Sequence, residues 1–357
     1  MRPSRSAPSA LAALVLALVP TLAACVRSAE APAAAPALAV RPIAIGFSLD
    51  SLIVERWIRD RDVFVATANS LGADVIFQNA ANDEKEQVSQ IRYLIDKGVD
   101  VLVIIPMNAD ILTDAIQRAK SRGIRVISYD RLIRNAPVDL YVSVDSVEVG
   151  RIMARAIVKR APAGDFVFIN GPLSDHNVSL VREGQDSVLA DYPGVSRILD
   201  YFADNWSYDL AYRQVAKLLD EGRRIDAIVC GNDGLAGGAI RALAERRLAG
   251  KVPVVGQDAD IAACQYVVEG SQLITVYKPI SALAKLAAQF AVSMAKGEFI
   301  APVETIGNGA VDVPVYWLKP VEVTRENIDE VVIESGFHTA DEIYRNIPVD
   351  KRPAAYR

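Results

Sequence analysis

Two adjacent pairs carry the most chemical potential in this chain: Arg56-Trp57 in DSLIVERW and Asp130-Arg131 in SYDR. Each sits at the end of a short apolar run that reads as a strand, IAIGFSL (43–49) and RVISYD (125–130). The arrangement recurs in the second half. Asp175-His176-Asn177 follow FVFING, Trp206 follows RILDYFA, Asn232-Asp233 close DAIVCGND, Gln257-Asp258 close VPVVGQD, and Lys278 closes LITVYK. Taken singly, each has an ordinary explanation. An Arg can lie on a solvated helix face, Asp and Asn cap the helix that follows, and a Trp fills a core. Taken together they put planar hydrogen-bonding groups, with two indoles, at nearly every strand end. That inventory suits a neutral polyol. Carboxylates and amides pair with vicinal hydroxyls, Arg and Lys donate to oxygens, and indoles cover C–H faces. A phosphorylated ligand would be repelled by so many carboxylates, and an apolar one would leave them unpaired at roughly 1–3 kcal/mol each.

The elements that must position these groups alternate in type. Further strands are expected at 73–80, 99–105 and 140–145, and helices lie between them, three ending at Gly72, Gly98 and Gly123. Glycine there supplies a left-handed helix stop. The second half repeats the rhythm, with helices near 146–160, 176–191, 208–221 and 234–246 and a long one near 281–296. The class expected is α/β, with two doubly wound parallel-sheet lobes. Ligands of such sheets bind outside the carboxyl ends of the strands, where the polar groups collect.

Other classes lose support. Neither half carries G-x-G-x-x-G or a P-loop after its first strand, and GLAGGA (234–239) reads at least as well as close helix packing. A net charge of −5 without a basic stripe argues against nucleic acid. Two histidines, at 176 and 338, and no clustered Cys make a metal site unexpected, and no cofactor is expected. At 357 residues the chain needs no disulfide framework, and only Cys230 and Cys264 follow residue 25.

The first residues differ from the rest. MRPSRS is basic, LAALVLALVPTLAA is apolar but short, and the run ends at Cys25. This reads as an export signal over 1–24. Leu22-Ala23-Ala24-Cys25 resembles the lipobox of bacterial lipoproteins, which implies lipidation at Cys25; an ordinary signal cut near Ala24 or the later alanines is the alternative. Residues 25–41, rich in Ala and Pro, read as a tether. The chain is thus expected to be exported and lipid-anchored in the periplasm or on the outer surface.

Several long stretches, VERWIRDRDVF, LGADVIFQNA, GVDVLVIIPMN, VISYDRLI, YVSVDSVEVG, GNDGLAGGAI, GQDADI and TVYKPI, resemble the bacterial periplasmic sugar-binding proteins of ABC importers, in the pentose and hexose group. The resemblance runs from about 43 to about 339. It implies a monosaccharide, D-xylose or a related pentose or hexose, held between two lobes joined by three crossovers. These would fall near Val144-Asp145, near Gln257-Asp258 and around residue 307. The lobes would be 42–144 plus 259–306, and 145–258 plus 307–336. By the same resemblance Arg56, Trp57, Asp130, Arg131 and Lys278 line the cleft from one side, and Asn177, Trp206, Asn232 and Asp258 from the other. Trp57 and Trp206 would cover opposite faces of the sugar. The chain departs from the family pattern at GPLSDHNVSL, where His176 replaces an Asn. The implied partners are a permease and its ATPase, or a chemoreceptor or kinase ectodomain, and the implied state is monomeric. An enzyme using Asp130 and Asp258 as a carboxylate pair is the main rival, disfavoured by the scarcity of His. A sugar-responsive repressor would need a helix-turn-helix where the export signal stands. Residues 337–357, polar with two prolines, read as a partly ordered tail.

Overall fold

The computed structural model describes residues 41–301 and 304–357. The expected export segment 1–24, Cys25 and the tether up to residue 40 lie outside the described residues.

Runs of β-branched and aromatic residues form β1 (Ile43–Leu49), β2 (Ala73–Asn79), β3 (Val101–Ile104), β4 (Arg125–Tyr129) and β5 (Leu140–Val144). Amphipathic stretches between them form α1 (Arg56–Ser70), α2 (Glu84–Asp96) and α3 (Thr113–Ser121). Gly72, Gly98 and Gly123 follow these helices with φ of +81°, +72° and +76°, the left-handed stop that a Cβ would resist. The chain continues through α4 (Ser146–Arg160), β6 (Gly164–Asn170), α5 (His176–Leu189), β7 (Val195–Phe202), α6 (Tyr208–Asp220), β8 (Ala227–Cys230), α7 (Asp233–Ala244), β9 (Val254–Gln257), α8 (Ile261–Glu269) and β10 (Ile274–Tyr277). It ends with α9 (Ile280–Ala295), β11 (Glu304–Gly307), β12 (Asp312–Leu318), β13 (Val321–Val323) and α10 (Ala340–Ile343).

Two sheets result. The first has the order β11-β12-β5-β4-β3-β1-β2, the second β13-β10-β9-β8-β6-β7. Strand pairs are parallel except β11–β12 and β10–β13. Helices cover both faces of each sheet, because parallel strands need crossovers that deposit them there. In the first lobe Phe47 packs on Phe64 and Tyr129, at 4.5 and 6.1 Å between ring centroids. In the second, α4 and α5 approach until a Cβ on Gly150 or Gly184 would strike the carbonyl of Val181 or Val147. Cys230 and Cys264 are buried free thiols. The expected α/β class with two doubly wound lobes describes the molecule.

Two of the expected crossover positions need correction. β10 pairs in parallel with β9, Ile274 opposite Val255, which keeps the chain in the second sheet past Asp258. The return to the first lobe comes only at Lys278-Pro279, ahead of α9, which packs on α1 and on the strands of the first sheet. β12 pairs with β5, Val315 opposite Tyr141, so 304–318 belong to the first sheet, and the last crossing is at Lys319-Pro320, not near 307. The C-terminal segment is also better packed than expected of a partly ordered tail. Phe337, Ile343 and Tyr344 are buried with Val332, Cys264 and Ile280, and α10 opens with a capping box between Thr339 and Glu342.

Candidate functional site

The carboxyl ends of the two sheets face each other across a cleft, and twelve residues line the cavity there. Arg56, Trp57, Asp130, Arg131 and Lys278, together with Asn177, Trp206, Asn232 and Asp258, all line this cavity. The fold therefore gathers all nine sequence-expected residues in one place. His176, the first residue of α5, does not line it. Burial lowers its pKa, and Arg134 adds to that.

The geometry is that of a buried ionic network. Arg56 opens α1, so its guanidinium reaches Asp60 one turn on, with Nε 3.2 Å from Oδ2. Its NH2 lies 2.8 Å from Asp130 Oδ2. Arg131 NH1 bonds Asp50 Oδ2 at 2.6 Å, while its Nε meets Asp175 Oδ2 at 2.6 Å. Asp50 follows β1 and Asp175 follows β6, so this one side chain ties the two lobes. Asn177 adds a second tie, donating from Nδ2 to the Asp130 carbonyl at 3.0 Å. Ala109 N donates to Ser174 O at 3.1 Å and Ile261 N to Glu55 Oε1 at 3.3 Å. The lobes are closed on one another.

Burial would raise the Asp130 carboxyl, but Arg56, Lys278 and Arg131 together hold it below the ordinary range. Burial wins at Asp60, pushing it up to about 6 despite Arg56 and a hydrogen bond from the Tyr129 hydroxyl. Burial likewise raises Asp175 against the pull of Arg131. Charges so deeply placed are sustained only by mutual pairing, since removing one partner leaves the other desolvated.

Backbone strain collects in the same place. Asp130, Trp206 and Asp258 have φ of +60°, +55° and +103°, conformations uncommon for residues with a Cβ. The Trp206 ring is seated on glycine: a Cβ at Gly171 would overlap it. Trp57 is 2% exposed, with the Arg56 and Arg131 guanidiniums 4.3 and 5.4 Å from its ring centre. Asn232 does two things at once, capping α7 through Leu235 N at 2.9 Å while lining the cavity.

Sequence reasoning left out Val54, Gln257 and Asp175 as cavity residues, although the last two stood at strand ends. It also missed Asp60, whose spacing of four from Arg56 on a helix was the available signal. Four buried polar atoms of cavity residues have no hydrogen-bond partner among the described residues: Trp57 Nε1, Trp206 Nε1, Gln257 Oε1 and Asp258 Oδ1. The last lies 3.1 Å from Lys278 Nζ without hydrogen-bond alignment. Two donors and two acceptors left over among the residues of one cavity wall suit a small polyhydroxylated ligand.

A family model described as a periplasmic binding protein domain matches residues 45–299. The chain is 44% identical over 308 residues to the D-xylose-binding periplasmic protein of Haemophilus influenzae, covering 85% of this chain and 93% of that one. It is 42% identical over 307 residues to the Escherichia coli protein of the same name, again covering 85% and 93%. Among solved structures, an ABC transporter solute-binding protein of Clostridium phytofermentans with bound β-D-glucose is 28% identical, with a TM-score of 0.76, over 84% of this chain and 99% of that one. The chain belongs to the periplasmic binding protein family.

Proposed function

We propose that this protein is the substrate-binding component of an ABC sugar importer, holding one monosaccharide, D-xylose, in the interlobe cavity. The observation that carries the reading is the set of four buried atoms of cavity residues that have no hydrogen bond among the described residues, set among paired carboxylates and guanidiniums. Arg56, Arg131, Lys278, Asn177 and Asn232 donate to sugar oxygens, and Asp130 and Asp258 accept from hydroxyls. Trp57 and Trp206 lie against the apolar faces of the ring. The relatives named for D-xylose binding support the choice of sugar.

Sugar held by one lobe recruits donors and acceptors from the other, so its affinity for the closed state exceeds that for the open one, and the lobes close on it. Moving an open protein to about 99% closed requires roughly 5.5 kcal/mol of such preference, within reach of several charge-assisted hydrogen bonds. The closed form then docks as a monomer on a membrane permease, which works with an ATPase; a chemoreceptor is a second docking partner for the same form. Export to the periplasm, with an anchor through Cys25, places the protein where such partners are met. The sugar leaves unchanged, because this is a binder and not a catalyst.

A thermal-shift panel of pentoses and hexoses tests the reading. At a hundred times its dissociation constant a ligand adds about 2.7 kcal/mol of stability. D-xylose is expected to raise the melting temperature more than ribose, glucose or galactose. A panel in which no sugar shifts it would overturn the proposal.

A further inference from the structure

The turn Asp258-Ala259 is strained backbone in the cavity wall, with two consecutive non-glycine residues at positive φ, +103° and +55°. Such a turn persists only where its surroundings over-determine it. Five bonds do so. Asp258 N donates to Val276 O at 2.9 Å, Ala259 N to Thr275 Oγ1 at 3.1 Å, and Asp260 N to Asp233 Oδ2 at 3.1 Å. The Ala259 carbonyl oxygen takes two more, a weak one from the Cys264 thiol at 3.5 Å and one from 79 residues away, where His338 Nε2 lies 2.8 Å from it. A carbonyl can only accept, so Nε2 carries the proton and donates.

His338 is itself fixed. It is 9% exposed, and its ring lies 4.5 Å from that of Phe337. Phe337 in turn packs edge-on against Tyr277 at 4.9 Å and beneath the Arg59 guanidinium at 4.4 Å. Arg59 lies on α1, about one turn from Arg56. The C-terminal segment therefore rests on the second lobe, touches the first, and holds the turn that aims Asp258 into the cavity.

We infer that His338 is a positioning residue for sugar binding: by pinning the Ala259 carbonyl it keeps the Asp258 carboxylate directed at the ligand. This rests on the proposed sugar-binding role of Asp258. Loss of the donor relaxes the left-handed turn, and the Asp258 carboxylate then no longer sits where the sugar hydroxyl needs it. The fold keeps its other anchors in this region, since Ile343, Tyr344 and Val332 remain buried together.

The test is D-xylose calorimetry on the full chain, with melting temperatures recorded without sugar, for wild type, Asp258→Ala, His338→Leu, His338→Ala and His338→Gln. Leucine keeps the buried volume and removes the donor. Glutamine returns an N–H donor at similar reach. The expected pattern is no measurable binding for Asp258→Ala, about tenfold weaker binding for the donor-free variants, and recovery to within about twofold of wild type for His338→Gln. Either donor-free variant carries the test if the other does not fold. Wild-type affinity in His338→Leu or His338→Ala, with Asp258→Ala inactive, overturns the inference and leaves the sugar reading standing. Glutamine binding as weakly as leucine also overturns it, because the hydrogen bond would then not be the cause. Wild-type affinity in Asp258→Ala, or no binding by wild type, overturns both.

Discussion

Arg56 NH1 and Asp258 Oδ1 lie 3.7 Å apart across the cleft, one from the start of α1 and the other just past β9. That is too long for a hydrogen bond, whereas the same guanidinium is 2.8 Å from Asp130. The attraction is set up across the lobes but left incomplete, and Asp258 Oδ1, although 3.1 Å from Lys278 Nζ, has no hydrogen bond among the described residues. On the proposed reading a sugar hydroxyl completes it.

Asp258→Asn is therefore expected to weaken D-xylose binding by about a hundredfold, the scale of one charge-assisted hydrogen bond. Titration calorimetry measures this. Unchanged affinity would remove Asp258 from the site.

Arg131→Ala strands Asp50 and Asp175, both buried and both paired at 2.6 Å. Leaving a buried charge uncompensated costs about 3–5 kcal/mol. Urea unfolding without sugar should show a loss of that order, alongside loss of xylose binding. A loss below about 1 kcal/mol would mean that the pairs contribute little.

The lining of the cavity was legible because strand ends carry it. Arg56, Asp130, Trp206 and Asp258 each follow an apolar run, and parallel-sheet topology brings such ends together. Lobe boundaries were not legible. Whether LITVYK joins one sheet or the other is decided by the pairing of Ile274 with Val255, a contact between distant segments that leaves no local pattern. β12 joins β5 on the same kind of evidence. Asp60 was hidden for a related reason. An Asp in the charged stretch RDRD reads as solvated helix surface, and only the packing of Tyr129 and Arg56 over it reveals a buried acid. The tail was misjudged because Phe337, Ile343 and Tyr344 are scattered among polar residues, and their burial depends on the second lobe.

Gly171→Ala places a methyl group where the Trp206 ring lies. Gly231, beside Gly171, also abuts the ring, where a Cβ would come to 3.1 Å of it. D-xylose affinity should fall at least about tenfold, with the melting temperature of the free protein changed far less. Equal affinity would show that Trp206 does not need this seat.

Asp60 gives a pH dependence of definite sign. Burial pushes its folded-state pKa up to about 6, above the ordinary value of 3.8. Between these values the folded state holds the proton that the unfolded chain has lost. This contribution therefore stabilises the protein as pH falls, by about 1 kcal/mol from pH 7.5 to 5. Asparagine cannot titrate, so Asp60→Asn should lack that component, and the wild-type minus variant difference in urea stability should rise toward acid pH. A difference independent of pH would contradict this placement of Asp60.

The chain has three tryptophans, and Trp57 and Trp206 line the cavity whereas Trp317 lies in β12 against Tyr141. A fluorescence titration with D-xylose is therefore the most direct test of where the sugar binds. The account predicts a saturable emission change in wild type that survives Trp317→Phe and vanishes in the double variant Trp57→Phe/Trp206→Phe. A change that persists undiminished in the double variant, or none in wild type at saturating sugar, would contradict it.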